Sequence, residues 1–138
     1  MTTRYEKGIK TLRAYTDQEK GTDHFKLMKD LEDIAPDIGK YIVEFAYGDI
    51  YNRSHLSKKL RALTVLSSLV TQGSGSLPQL ELHINTALNA GLTEEEIIEA
   101  MIQLIPYVGF PTVINAVKQA QHVFQERSKT PTHTSHPC

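Results

Sequence analysis

Apolar side chains recur at helical spacing along nearly the whole chain, and no stretch sustains the period of two that a half-buried strand requires. Ile38, Tyr41, Ile42, Phe45 and Asp49/Ile50 fall on one face, and Ile97, Ile98, Met101, Ile102 and Ile105 repeat at i, i+1, i+4, i+5 and i+8. A chain patterned in this way folds as packed amphipathic helices, so the expected fold is all-α. The spacing predicts about seven helices, at roughly 3–15, 24–34, 36–50, 57–72, 77–90, 93–106 and 111–128.

Local signals mark the same boundaries. Thr93 with Glu96 three residues on makes a capping box, and Gly91 sits where the preceding helix should end. Pro36 and Pro111 suit the first turn of a helix, where a missing N–H costs little. Gly73-Ser74-Gly75-Ser76 reads as a flexible link, and Tyr107-Val108-Gly109-Phe110 as a bend before the last helix. No internal repeat or domain boundary shows, which leaves one helical domain over residues 1–127. From Ser128 the segment SKTPTHTSHPC offers no hydrophobe to anchor it and reads as a disordered tail.

The chain has 138 residues, long enough for one core yet short enough to leave apolar surface that association would cover. Its 15 basic and 16 acidic residues give a net charge of -1, with no long run of either sign, so neither nucleic acid nor an anionic membrane is an expected partner. The charged N-terminus MTTRYEKGIKTLRAYTDQEK lacks the apolar core of a signal peptide, and about 18 uncharged apolar residues never run together. A cytoplasmic location is the expectation.

The one cysteine, Cys138, is the last residue, which excludes an internal disulfide or a cysteine-based zinc site. His24, His55, His83, His122, His133 and His136 show neither H-x-x-x-H nor H-x-x-E-H spacing. His133, His136 and Cys138 share the tail, where closing a metal site would first require ordering the chain. No metal is expected. A Gly-rich phosphate loop, a nucleophile elbow and a basic stripe are likewise missing.

Four segments, IAPDIGKYIVEFAYGDIYNRSHL, KLRALTVLSSLV, QLELHINTALNAGLTEEEIIEA and YVGFPTVINAV, resemble successive blocks of the carboxymuconolactone decarboxylase family and cover most of residues 34–117. The resemblance implies an all-helical subunit of the alkylhydroperoxidase D type that assembles as a trimer or hexamer. The family's redox branch carries C-x-x-C shortly before a histidine. Anchored on His83, those cysteine positions fall on Ser76 and Gln79, and the glutamate of that branch's proton relay falls near Thr64. Thiol–disulfide exchange needs a thiolate, which neither a hydroxyl nor an amide replaces. The chain therefore resembles the cysteine-free branch.

That resemblance implies decarboxylation of gamma-carboxymuconolactone or a related acid of aromatic-compound catabolism. The departing carboxylate sits on a carbon conjugated through a double bond to the lactone carbonyl, so its electrons flow into that carbonyl to give a dienolate. The substrate supplies its own electron sink, and no cofactor is expected. What the protein must supply is anion binding, oxyanion stabilisation and one proton. The reading in another class is an oligomeric ligand-binding protein that kept the fold and lost the chemistry; a third is peroxidase activity without the paired cysteines.

Several side chains match those needs. His83 lies on the flank of the face formed by Leu80, Ile84 and Ala87; spacing alone fits a satisfied core or interface histidine, whereas the resemblance implies a proton donor. Arg53 and Arg61 suit the substrate's carboxylates, since planar guanidinium groups bind carboxylates bidentately, although both also suit surface or interface ion pairs. Where the decarboxylase branch often has Pro-Gly after the first arginine, this chain has Ser54 and His55, and Pro78 replaces an acidic residue common there. Glu99 lies beside the apolar stripe of its helix and can orient a histidine or pair with an arginine, whereas Glu96 is explained by its cap. Tyr107 and Asn115 match the family's YxGxP block and the helix after it, and complete the expected substrate-binding set.

Overall fold

The computed structural model describes residues 2–16 and 24–129. The described residues form eight α-helices and no strand, as the apolar spacing requires. In chain order these are α1 (Arg4–Tyr15), α2 (His24–Leu31), α3 (Pro36–Tyr41), α4 (Lys58–Thr71), α5 (Leu77–Asn89), α6 (Glu94–Gln103), α7 (Ile105–Val108) and α8 (Phe110–Lys129). Among them no helix is long and apolar enough to cross a membrane. The last helix reaches Lys129, two residues into the expected tail; residues 130–138, with His133, His136 and Cys138, lie outside the described residues.

Three differences from the sequence expectation have local causes. The predicted helix over 36–50 is one rod, but from Ile42 to Ile50 it is wound as a π-helix, its end closed by Tyr51 N–H donating to the Ala46 carbonyl at 2.8 Å. The predicted helix over 93–106 breaks at Leu104, because Pro106 lacks an N–H and its ring opposes the carbonyl one turn back. Gly73–Ser76 is a 3₁₀ turn rather than a loose link; the Ser76 hydroxyl donates to the Leu69 carbonyl at 2.6 Å and ties the turn to α4. Elsewhere the local signals hold. Thr93 and Glu96 form the capping box, and Gly91, at φ +104°, lets Leu92 and Gly91 donate back to the Ala87 and Leu88 carbonyls as a Schellman cap.

The apolar side chains gather into two separate clusters. The larger lies among α4, α5, α6 and α8 and buries Leu66, Val70, Leu80, Ile84, Ile97, Met101, Val113 and Val123. The smaller lies among α1, α2 and the π segment and buries Leu12, Tyr15, Val43 and Tyr47. It is closed by the contact of α1 with the π segment, where a Cβ on Gly8 would stand 1.9 Å from the Val43 carbonyl oxygen, so the two backbones approach as only glycine permits. Arg4 and Asp49 pair at 2.6 Å across the same contact, and the Asn52 amide donates to Thr11, Tyr47 and Gly48. The two clusters meet along α4 and α5, where Asn89 donates to the Tyr15 carbonyl at 2.9 Å and Lys58 to that of Ala14 at 2.5 Å.

Candidate active site

Arg53 and Arg61 do come together, but in different roles. Arg53 lies in the loop between the π segment and α4, and Arg61 lies in the first turn of α4, whose Ser57 cap accepts from Leu60 N–H. The Arg61 guanidinium donates to the Arg53 and Leu56 carbonyls and, at 3.2 Å, to the Tyr15 hydroxyl; it also lies over the Tyr51 ring. Arg61 therefore fixes the loop. The Arg53 guanidinium is exposed and has no hydrogen bond or ion pair among the described residues. Both arginines, with His55, Thr64, Ile50, Tyr51, Leu56 and Val65, line a cavity of about 240 Å3 whose wall is otherwise largely apolar.

Behind Tyr51 a file of rings leads inward. The π winding stacks Tyr47 on Tyr51 with centroids 4.1 Å apart, and Tyr15 meets both edge-on, at 6.0 and 5.1 Å. The Tyr47 hydroxyl lies 2.9 Å from Nε2 of His24, the first residue of α2, which is 3% exposed. The His24 ring in turn meets His83 of α5 edge-on at 5.1 Å. His83 is thus partly buried at the seam between the two clusters, reached from the arginine cavity through two phenols and an imidazole, and is not on the cavity wall.

Burial sets the charge of this file. It lowers His83 to about 4, and burial first, with His83 second, lowers His24 to about 3. Both imidazoles are neutral at pH 7. Burial likewise pushes the Tyr47 hydroxyl well above its ordinary value and Tyr51 upward, so both stay protonated. The result is a dry, uncharged interior beside a cationic mouth.

The other expected residues lie elsewhere. Glu99 accepts from Gln103 at 2.9 Å and lines a groove between α4 and α6 with Lys59, Leu60 and Leu63. Tyr107, 84% exposed, and Asn115, also exposed, stand on α7 and α8 with no place on the arginine cavity. Ser76 and Gln79, the positions matching the redox cysteines, bear no thiol, and Thr64 spends its hydroxyl on the Leu60 carbonyl. Among the described residues no three His, Cys, Asp or Glu side chains cluster to hold a metal ion.

His24, Tyr15, Tyr47 and Tyr51 escaped the sequence reading. Tyr47 and Tyr51, four apart beside an apolar stripe, gave a usable signal; His24 gave none, because its partners are 23 and 59 residues distant in sequence.

The described residues thus form an all-helical domain with two arginines at a small, largely apolar cavity, a neutral imidazole pair behind it and no cysteine at the redox positions. The sequence model of the carboxymuconolactone decarboxylase family matches residues 36–122, and the chain belongs to that family. It is 33% identical over 107 residues, 78% of this chain and 79% of the relative, to an uncharacterised 15.0 kDa protein of Paracoccus denitrificans. It is similar to the 4-carboxymuconolactone decarboxylase of Acinetobacter baylyi, 27% identical over 128 residues, 93% of this chain and 92% of that enzyme. A nitrosuccinic acid decarboxylase of Metarhizium robertsii is 34% identical over 85 residues, 62% of this chain and 58% of its own length.

Proposed function

We propose that this protein is a cofactor-independent decarboxylase acting on a small acid that carries a second carboxylate and its own electron sink, with gamma-carboxymuconolactone as the first candidate. The observation that carries this reading is the Arg53 guanidinium, without a hydrogen bond or ion pair among the described residues, at a largely apolar cavity on a loop fixed by Arg61. At about 240 Å3 the cavity is smaller than the roughly 300–1,000 Å3 of drug-sized sites and suits a compact acid.

The two decarboxylases resembling this chain act on acids that share this logic. In the lactone the electrons left by CO2 flow into a conjugated carbonyl; in nitrosuccinic acid they can flow into the nitro group. Either acid retains a carboxylate for Arg53 and Arg61 to hold. Each turnover then needs one proton for the carbanionic carbon, and His83 supplies it through the file of His24, Tyr47 and Tyr51 that separates it from the cavity. A neutral imidazole is a weak donor, but an anion bound nearby favours the charged form and raises its affinity for a proton. Tyr51, a protonated phenol on the cavity wall, hydrogen-bonds the oxyanion as it develops.

The working form is a homo-oligomer. Ile34, Ile38, Tyr41 and Phe45 make an exposed apolar stripe along the α3 rod, and Tyr107, Phe110 and Ile114 make a second, beyond what an isolated soluble domain ordinarily leaves in water. Glu99, Tyr107 and Asn115 join a site only if a neighbouring subunit carries them to it.

The test is CO2 release from gamma-carboxymuconolactone and from nitrosuccinate. Wild type should release CO2 from at least one, and Arg53→Ala should raise KM about 10-fold or more through loss of a charge-assisted bond. Binding of both acids without release would leave a ligand-binding protein.

A further inference from the structure

His24 Nδ1 is the one buried side-chain polar atom without a hydrogen-bond partner among the described residues. Its ring is otherwise committed, with Nε2 at 2.9 Å from the Tyr47 hydroxyl. A buried nitrogen left unpaired costs stability and is poised for a partner in the working state. The neighbour that meets the ring is His83, at 5.1 Å between centroids and 78° between planes. Two imidazoles joined by a linear N–H···N bond stand about 5 Å apart, the sum of one bond length and two ring radii. The ring centres thus stand at the separation that such a bond requires.

The free nitrogens match. Thr86 donates its hydroxyl proton to the His83 carbonyl at 3.1 Å, so its oxygen accepts from His83 Nδ1 at 3.4 Å. That leaves His83 Nε2 as the bare nitrogen. On His24, donation from Nε2 to the Tyr47 oxygen leaves Nδ1 bare. Two neutral rings thus offer two lone pairs and no proton between them.

We propose that His24 and His83 are a proton-sharing pair: when an anionic substrate binds, the pair takes up one proton and holds it between His24 Nδ1 and His83 Nε2. His24, bonded to Tyr47, is the residue through which the proton leaves the pair, and His83 is the partner that helps to hold it. The proposal rests on the decarboxylase reading for its purpose. The carbon–carboxylate bond breaks, CO2 leaves, and the electron pair passes to the substrate's sink. The protonated pair then passes one proton outward: His24 Nε2 gives its proton to the Tyr47 oxygen, Tyr47 gives its own to Tyr51, and Tyr51, on the cavity wall, protonates the carbon, so that the pair is neutral again until solvent supplies the next proton.

The groups that touch the pair are Tyr47 of the π segment, on His24, and Thr86 of α5, on His83; Tyr51 and Tyr15 lie behind Tyr47, and Arg61 of α4 lies against those two. Arg127 of α8 donates to Asn85 and Asn89 of α5. Neither imidazole has an ion pair among the described residues. Burial of both rings keeps the free pair unprotonated at neutral pH, so the proton arrives with the substrate.

Nitrogen NMR of histidine-labelled wild-type protein at pH 7 tests the pair without substrate. The expected spectrum shows two neutral rings, His24 protonated on Nε2 and His83 on Nδ1. A proton on His24 Nδ1 overturns the proposal. In turnover of gamma-carboxymuconolactone, His24→Phe keeps a buried ring but removes the nitrogen. The variant should lose about 10- to 100-fold in kcat with KM within about twofold, and its kcat should fall off at lower pH than that of wild type. Unchanged kcat and pH profile in a folded His24→Phe overturn it. No release by wild type removes the decarboxylase reading, and the spectrum then decides the pair alone.

Discussion

The two hydrophobic clusters of this small protein are built on different principles. The C-terminal cluster of α4, α5, α6 and α8 is a conventional aliphatic core, filled by Leu66, Leu80, Ile84, Ile97 and Met101 with regular helices around it. The N-terminal cluster mixes Leu12 and Val43 with Tyr15, Tyr47 and His24, and winds one of its helices as a π-helix. Regular helices bury apolar side chains at little cost, whereas a buried phenol or imidazole must find a partner or remain unsatisfied. The first region is the scaffold. The second accepts local irregularity and places polar groups in a dry interior, which is what an anion-handling, proton-delivering site needs.

That contrast predicts different responses to perturbation, and acid should separate the regions most strongly. Unfolded histidines bind a proton below about 6.5, whereas His83 and His24 resist protonation to about 4 and about 3. Throughout that window the unfolded chain holds more protons, so stability is full above 6.5 and is lost as pH falls toward 4 and then 3. The loss is on the order of several kcal/mol. Hydrogen exchange at pH 7 and pH 4.5 should show α1, α2 and the π segment opening before α5 and α8; uniform opening would erase the distinction.

Substitutions sharpen the same line. Leu66→Ala, in the aliphatic core, should cost about 2–5 kcal/mol in urea denaturation with little change in kcat per folded molecule. Gly8→Ala strikes the other cluster, since the new methyl meets the Val43 carbonyl. It should cost about 1–3 kcal/mol as the backbones part, and lower kcat as well by shifting Tyr47. Thr93→Ala, which removes the α6 capping box, should cost about 1 kcal/mol and leave turnover alone. A Gly8→Ala protein with normal turnover would break the link between the π segment and the site.

The same contrast explains what could be read from the sequence. Periodicity and caps located the scaffold because they act over three or four residues, as at Thr93 with Glu96 and at Gly91. The pairing of Arg53 with Arg61 was legible because both flank one loop. The π winding was not legible, because it is held from outside by Asn52 on its last carbonyls and by the Gly8 contact. Nor was the role split between the arginines, which depends on carbonyls that only the folded loop brings within reach. His24 joins His83 across 59 residues, a distance over which no periodic signal persists.

The central claim is that chemistry belongs to the N-terminal cluster and its seam, and stability to the C-terminal core. It is tested most directly by CO2 release from gamma-carboxymuconolactone, measured for wild type, His83→Ala and Leu66→Ala at one temperature with the folded fraction of each determined. The account predicts release by wild type, near-normal turnover per folded Leu66→Ala molecule, and a loss of about 100-fold or more in His83→Ala. Wild-type turnover in His83→Ala, or an equal loss in both variants, would contradict it.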